Sequence, residues 1–172
     1  MVLDQQASKQ KKLDEVYINI AKQVSTLSHC VRSKVGAVLV KEGNVISFGY
    51  NGTPAGMDNS CETRSYLPQD AGAWSDIDTI LVEWPFRNTH GNYKLVTKSE
   101  VIHAEVNAVL KAAKTGTSVD GSTLYLTLSP CLDCSKLILQ AGVKRVVYLE
   151  TYRNLDGPEF LKQFIPVEKY EI

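Results

Sequence analysis

The sequence has no excess of charge of either sign, because 19 Lys and Arg residues balance 19 Asp and Glu residues. A protein that binds nucleic acid over a wide surface needs a basic face, so zero net charge argues against a nucleic-acid-binding protein. A small cationic pocket is still compatible with this charge balance. The sequence also lacks an apolar run of the about 18 residues needed to span a bilayer, and its polar start is unlike a signal peptide. We therefore expect a soluble, cytoplasmic protein with no membrane partner and no nucleic-acid partner.

Cysteine is scarce, with only four residues in the chain. Cys131 and Cys134 form a Cys-x-x-Cys pair, which leaves Cys30 and Cys61 unassigned. A reducing cytoplasm makes a disulfide the least favoured state of Cys30 and Cys61. Free thiols and ligands of a second metal are the alternatives.

The 172 residues, 44% of them hydrophobic and 22% charged, suit a single domain with one core. Residues 1–12 are predicted to form a polar N-terminal tail. Residues 57–99 are rich in turn-forming residues and carry only a weak apolar run. We interpret them as an insertion that builds a site or an interface, with some helix of its own.

Apolar periodicity alternates between helical and strand-like stretches along the chain, which predicts an α/β fold. The predicted helices begin near residues 13, 103, 130 and 158, and the predicted strands cover residues 35–40, 45–50, 123–128, 144–149 and 167–172. The first two strands form a hairpin, whereas later strand–helix–strand connections favour parallel neighbours. We expect a mixed five-stranded sheet with helices on both faces.

The chemistry of the chain is concentrated in two short motifs, His103-Ala104-Glu105 and Pro130-Cys131-Leu132-Asp133-Cys134. One imidazole and two thiolates are good zinc ligands, and three protein ligands leave the open position that is typical of a catalytic zinc. Glu105 can act as the base beside that position, as in the known pattern of zinc nucleobase deaminases. The alternatives are a helix-start histidine with incidental cysteines, or a redox-active cysteine pair.

Both motifs begin helices in this interpretation. Cys131 and Cys134 are three residues apart and face the same side of one turn, and helix N-termini favour thiolates. Zinc lowers the pKa of water towards neutrality. Glu105 would take the water proton during attack on C4 of a cytosine and deliver protons to N3 and to the departing ammonia; the alternative roles are a zinc ligand or a helix cap.

Residues 103–108 and 129–134 resemble the cytidine deaminase superfamily. Residues 35–38 and 49–56 resemble the deoxycytidylate deaminases within it, most of all the bacteriophage members, which would act in a host cytoplasm. The resemblance extends over residues 13–152 and implies a three-layer α/β/α fold. It implies deamination of dCMP to dUMP, which supplies thymidylate synthesis. It also implies a homohexamer that dCTP activates and dTTP inhibits, with Mg²⁺ accompanying the triphosphate.

The same resemblance, together with loop positions, suggests where the substrate binds. Asn51 matches the residue that contacts the sugar hydroxyl, and Ala104 and Ser129 lie beside the metal ligands, although Ser129 also has the simpler role of ending a strand. The 5′-phosphate needs cations and donors. The candidates are Arg32, Ser33, Lys34, Tyr152 and Arg153, for which solvated loop positions are the alternative.

Two further sites follow from the resemblance. A triphosphate effector would lie along a glycine-rich loop, because glycine lets the backbone approach a ligand. Its candidate residues are Gly49, Tyr50, Gly52, Thr53 and Gly56, with Glu62 and Arg64 as weaker candidates. A second zinc, known in some phage members, would use Cys30, Cys61, His90 and Glu100. The alternative interpretation is that Cys30 and Cys61 are buried free cysteines.

The sequence leaves three rival functions open. The first is a deaminase of tRNA or single-stranded DNA bases, which zero net charge and the lack of an aromatic–basic stripe oppose. The second is a free cytidine deaminase, which shares the zinc chemistry but needs no phosphate site. The third is a non-catalytic zinc scaffold that binds nucleotides, which has no need of Glu105 at the open position.

Overall fold

The structure is a computed structural model that describes residues 2–69 and 76–171. The helices in these residues are α1 (Val2–Ser25), α2 (Ile77–Glu83), α3 (Ala104–Lys114), α4 (Leu132–Gln140) and α5 (Asp156–Lys162). The strands are β1 (Gly36–Lys41), β2 (Asn44–Tyr50), β3 (Glu62–Tyr66), β4 (Phe86–Asn88), β5 (Gly91–Thr97), β6 (Thr123–Leu128), β7 (Arg145–Glu150) and β8 (Val167–Lys169). No helix in this part of the chain is long and apolar enough to cross a membrane.

The main sheet has five strands in the order β2-β1-β6-β7-β8. Strand β1 runs antiparallel to β2 and β6, while β6, β7 and β8 are parallel to one another. The parallel half follows from the helical crossovers, because α4 connects β6 to β7 and α5 connects β7 to β8. The predicted mixed five-stranded sheet is confirmed.

Alternating side chains of the sheet build two cores, one on each face. Ala37 and Leu39 of β1 are buried on the face that carries α3, α4 and α5. Val38 on the same strand packs on the other face against Ile18 and Ala21 of α1. This alternation is expected because successive strand residues point to opposite sides of a sheet. The three layers match the predicted α/β/α architecture.

Helix α1 corrects the prediction of a polar tail at residues 1–12. The helix begins at Val2, and residues 5–12 form an exposed helical extension. These residues include Ala, Gln and Lys and no Gly or Pro, so the helix continues without support from a core. Met1 lies outside the described residues.

The insertion at residues 57–99 contains a small antiparallel sheet in the order β3-β5-β4. Helix α2 supplies the helix that the sequence predicted, and its Ile80 is buried together with the nearby Trp84. The ammonium of Lys94 on β5 lies 4.4 Å from the centre of the Trp84 ring. The sheet itself was not predicted, and residues 70–75 of the insertion lie outside the described residues.

A buried ion pair fastens α1 to the main sheet. The two terminal nitrogens of Arg145 each donate to one carboxylate oxygen of Asp14 at 2.8 Å, and the Tyr125 hydroxyl donates to Asp14 at 2.7 Å. Glu168 accepts two further bonds from Arg145 at the exposed edge of the site. Burial alone would raise the pKa of Asp14, but hydrogen bonds from Arg145, Tyr125 and Gln10 hold that pKa below its usual range.

We predict that Asp14→Asn lowers the free energy of unfolding at pH 7 by about 3 kcal/mol, because it breaks a buried pair. Glu168→Gln is the matched control on the exposed side of Arg145, and we expect it to cost less than about 1 kcal/mol. Urea unfolding measures both values. Equal costs for the two variants would contradict the role assigned to Asp14.

The same pair predicts how stability depends on pH. Since the pKa of Asp14 is lowered on folding, its contribution is complete above the unfolded pKa of about 3.9 and is lost as the pH falls through the folded value. The difference in unfolding free energy between wild type and Asp14→Asn should therefore narrow below about pH 4. A difference that stays constant into acid would argue against the pair.

Candidate active site

The N-termini of α3 and α4 meet at a cluster of three side chains. His103 is the residue immediately before α3, and Cys131 is the residue immediately before α4. The His103 Nδ1 atom lies 3.2 Å from the sulfur of Cys134 and 3.7 Å from that of Cys131. The ligand atoms of all three residues lie within 4.8 Å of one another. The structure thus brings the predicted metal ligands together.

Backbone contacts fix these two helix starts on the sheet. Ile102, next to His103, exchanges two backbone hydrogen bonds with Gly52, at 2.9 and 3.1 Å. A side chain on Gly49 would collide with the backbone of α3, so glycine lets β2 and α3 approach closely. Gly157 of α5 has the same function beside Pro130, where a Cβ would overlap the proline carbonyl oxygen.

The cluster fits a zinc ion by its donor chemistry. One nitrogen and two sulfurs bound to a tetrahedral zinc lie about 3.4–3.8 Å apart, close to the separations found here. Hydrogen bonds from Cys134 and His103 lower the pKa of Cys131 to about 4, while the hydrogen bond with Cys131 and burial raise the pKa of Cys134. Three ligands leave one coordination position, and a zinc bound there would lower the pKa of a water molecule.

Glu105 is the second residue of α3 and is only 5% exposed. It lies in the pocket that also contains His103 and Cys131. Burial raises the pKa of the Glu105 carboxyl above its usual value. A carboxylate with a raised pKa accepts a proton more readily near neutral pH, which suits a general base.

One pocket extends from this cluster to a cationic rim. Arg32 and Arg153 are exposed and form this rim, and the guanidinium of Arg153 is 5.2 Å from the centre of the Tyr152 ring. Except for Lys34, which is exposed in its loop, all predicted substrate-binding residues line this pocket. They are Asn51, Ala104, Ser129, Arg32, Ser33, Tyr152 and Arg153.

Asn51 has a structural role that the sequence did not reveal. Its amide oxygen accepts the Val35 N–H at 2.8 Å, and its amide nitrogen donates to the Ser33 carbonyl at 2.8 Å. Asn51 therefore holds the segment between α1 and β1. Each amide atom still has one further donor or acceptor position, which is available to a ligand in the pocket.

The predicted effector residues have separate surroundings in the described part of the chain. Gly49 packs against α3, Gly52 bonds to Ile102, and the ring of Tyr50 lies 4.7 Å from the Lys111 ammonium. The others are dispersed: Thr53 bonds to the Asp58 carbonyl, Gly56 has a positive φ, Glu62 lines the main pocket and Arg64 stacks on Tyr93. Gly49 thus allows close approach of β2 to α3, whereas a Cβ on Gly52 would meet no atom within 4 Å. The effector site stays a prediction.

The pairing of Cys30 with Cys61 contradicts the expectation that a disulfide is their least favoured state. The structure joins them as a disulfide between the α1–β1 segment and the start of β3. The four residues of the predicted second metal site do not form one metal-binding group, because Cys30 and Cys61 are bonded to each other and His90 packs beside the Tyr66 ring at the β4–β5 turn. Among the described residues, the one candidate metal group is that of His103, Cys131 and Cys134.

A nitrogen–sulfur–sulfur donor set with a buried carboxyl beside it is the arrangement of a hydrolytic zinc site. Comparison with known proteins gives the family. Residues 11–150 match the family model of the cytidine and deoxycytidylate deaminase zinc-binding region. The chain belongs to this family.

Individual relatives agree with this assignment. The deoxycytidylate deaminase of Enterobacteria phage T4 is 37% identical over 172 aligned residues, covering 90% of this chain and 87% of the relative. The human deoxycytidylate deaminase is 35% identical over 145 residues, covering 83% and 67%. The crystal structure of dCMP deaminase from the cyanophage S-TIM5 in complex with dCMP and dUMP superposes with a TM-score of 0.72. Its sequence is 40% identical, and the match covers 92% of this chain and 96% of that one.

We predict that the purified protein holds one zinc per chain and that Cys131→Ala loses it, because two remaining ligands bind the metal far more weakly. Cys61→Ala is the matched cysteine control and should keep one zinc, since Cys61 is bonded to Cys30 instead. Elemental analysis measures both. Two zincs in wild type, or loss of zinc from the Cys61 variant, would contradict this assignment.

Proposed function

We propose that this protein catalyses the hydrolytic deamination of dCMP to dUMP with release of ammonia, the reaction that supplies thymidylate synthesis. The observation that carries the proposal is one pocket lined both by a zinc-type donor set with a buried carboxyl and by two exposed arginines. The donor set and the carboxyl suit attack on a cytosine, and the arginines suit a phosphate. The family and the phage relatives support the same reaction.

Glu105 is the proton carrier in this proposal. Its carboxylate takes one proton from water while the water oxygen forms a bond to C4, and it passes that proton to N3. It then takes the remaining hydroxyl proton and gives it to the exocyclic amine. The C4–N bond breaks, ammonia leaves and C4 becomes a carbonyl. One group serves both transfers because the entering and leaving atoms share one carbon.

Recognition of the rest of the nucleotide is assigned to the pocket walls. Asn51 is proposed to contact the sugar hydroxyl, and Ala104 and Ser129 to flank the base. Arg32 and Arg153 would bind the 5′-phosphate, because guanidinium groups form strong charge-assisted bonds to phosphate oxygens. Ser33 and Tyr152 would add neutral donors to the same rim.

Assembly and regulation stay predictions from the family resemblance. A homohexamer, activation by dCTP and inhibition by dTTP with Mg²⁺ on the triphosphate belong to this part of the proposal. Self-association is supported by an apolar groove between α3 and α4, where the Leu110 and Leu137 side chains are about half exposed. Exposed apolar surface of this kind is typical of an interface between protein chains.

Glu105→Gln tests the proton carrier. We predict that the variant retains its zinc, because the side chain is outside the ligand set, and loses at least about 10²–10⁴-fold in kcat, because a positioned acid–base group is removed. Ammonia release from dCMP measures activity, and elemental analysis measures zinc. Near wild-type turnover with full zinc would contradict the role of Glu105 as the proton carrier.

The substrate class is tested by comparing dCMP with deoxycytidine. A site with donors for a charged group leaves those donors unpaired when the substrate lacks that group, so kcat/KM for such a substrate falls strongly. At about 1.5–3 kcal/mol per bond to a charged group, two lost bonds predict a preference for dCMP of about 10²–10⁴-fold in kcat/KM. Arg32→Ala should reduce this preference by impairing dCMP selectively.

Three results decide between the candidate functions. Equal kcat/KM for the two substrates in wild type would contradict the nucleotide assignment and favour a free cytidine deaminase. Turnover of tRNA or single-stranded DNA in place of dCMP would favour a polynucleotide deaminase. Full discrimination retained by Arg32→Ala would leave the reaction intact and assign phosphate binding to Tyr152 and Arg153.

A further inference from the structure

The segment that carries Arg32 into the pocket is held by side chains. It lies between α1 and β1, and the backbone N–H groups of Val31 and Arg32 both donate to one oxygen of Glu62, at 3.0 and 3.1 Å. The Cys30 N–H donates to the Ser28 hydroxyl at 3.2 Å. Two residues distant in sequence therefore fix the path of this segment, Glu62 at residues 31 and 32 and Asn51 at residues 33 and 35.

The Arg32 side chain is fastened by the same small sheet. Its guanidinium donates to the Thr97 hydroxyl on β5 at 3.0 Å. Glu62 on β3 and Thr97 are directly paired across the two strands, so their side chains project from the same face. One cross-strand pair thus contacts both the backbone and the guanidinium of Arg32. The bond between Cys30 and Cys61 links the same two segments one residue away.

Glu62 lines the pocket that contains Arg32 and Arg153, and one of its carboxylate oxygens accepts the two backbone N–H groups of the segment. Hydrogen bonds to a carboxylate are stronger than neutral ones, which suits a side chain that must hold an otherwise irregular segment.

We infer that Glu62, with Thr97, is a positioning residue for phosphate recognition: it orders the Arg32 segment so that the guanidinium stands ready at the rim of the pocket. The inference rests on the proposed function. It gives the insertion a purpose, because the β3–β5 pair then sets the selectivity of a site whose chemistry lies elsewhere. A guanidinium that is already ordered loses less conformational freedom when it binds phosphate.

The test compares Glu62→Ala with Glu62→Gln. The alanine variant loses the acceptor, so we expect the KM for dCMP to rise about tenfold while kcat and the kinetics with deoxycytidine stay within about twofold of wild type. The glutamine variant keeps an oxygen in the same position that accepts both N–H groups, so its KM should stay close to wild type. Thermal denaturation of each variant verifies folding.

Thr97→Val is the second probe, and Thr63→Val is its control. Thr97→Val removes the acceptor of the Arg32 guanidinium and should also raise the KM for dCMP. Thr63 follows Glu62 on β3 and points to the opposite face, so its replacement should leave the KM for dCMP and for deoxycytidine unchanged. The Thr97 variant keeps the inference testable if Glu62→Ala does not fold.

Other outcomes would overturn the inference without touching the proposed function. Equal loss with dCMP and deoxycytidine in Glu62→Ala would show a merely structural role. An equal rise in the KM for dCMP in Glu62→Gln and Glu62→Ala would show that phosphate recognition depends on the charge of Glu62 and not on its hydrogen-bond acceptor. An unchanged KM in both Glu62→Ala and Thr97→Val would show that Arg32 needs neither. Failure of the proposed function has a separate signature, the absence of any dCMP preference in wild type.

Discussion

The meeting of two helix N-termini at one point is the constraint on which the rest of the site depends. The starts of α3 and α4 carry the histidine and cysteine donors, and their N–H groups and dipoles favour thiolates there. Such convergence requires both helices to lie very close to their neighbours. Gly49 and Gly157 allow it, because any larger residue would push α3 off β2 or α5 away from Pro130. The close packing of these helices in the core is thus also what brings the candidate metal ligands together.

Two parts of the structure contribute to the pocket. The main sheet and its helices carry the candidate metal ligands, with Glu105 buried beside them. The insertion supplies contacts to the segment that carries Arg32. If Glu105 carries the protons and the small sheet positions Arg32, as we propose, changes in that sheet can alter substrate selectivity while proton transfer stays unchanged.

Much of this could be predicted from sequence because the determining signals are local. The metal motifs are short, and the period of apolar residues reveals α3, α4 and the main strands. The sheet of the insertion was missed because β3, β4 and β5 are short, partly exposed strands with few apolar residues, and β3 pairs with β5 between residues that are 27 to 35 positions apart. Glu62 was assigned to an effector site for the same reason: its partners, the N–H groups at residues 31 and 32, are distant in sequence.

We propose that one nucleotide spans the pocket, with its base at the metal cluster and its phosphate at the arginine rim. A crystal structure of the Glu105→Gln protein, loaded with zinc and soaked with dCMP, tests it most directly, because the substrate would remain intact. We expect C4 of the base to lie beside residue 105 and the phosphate to bond to Arg32 or Arg153. A base bound away from the cluster, or a phosphate outside that rim, would contradict it.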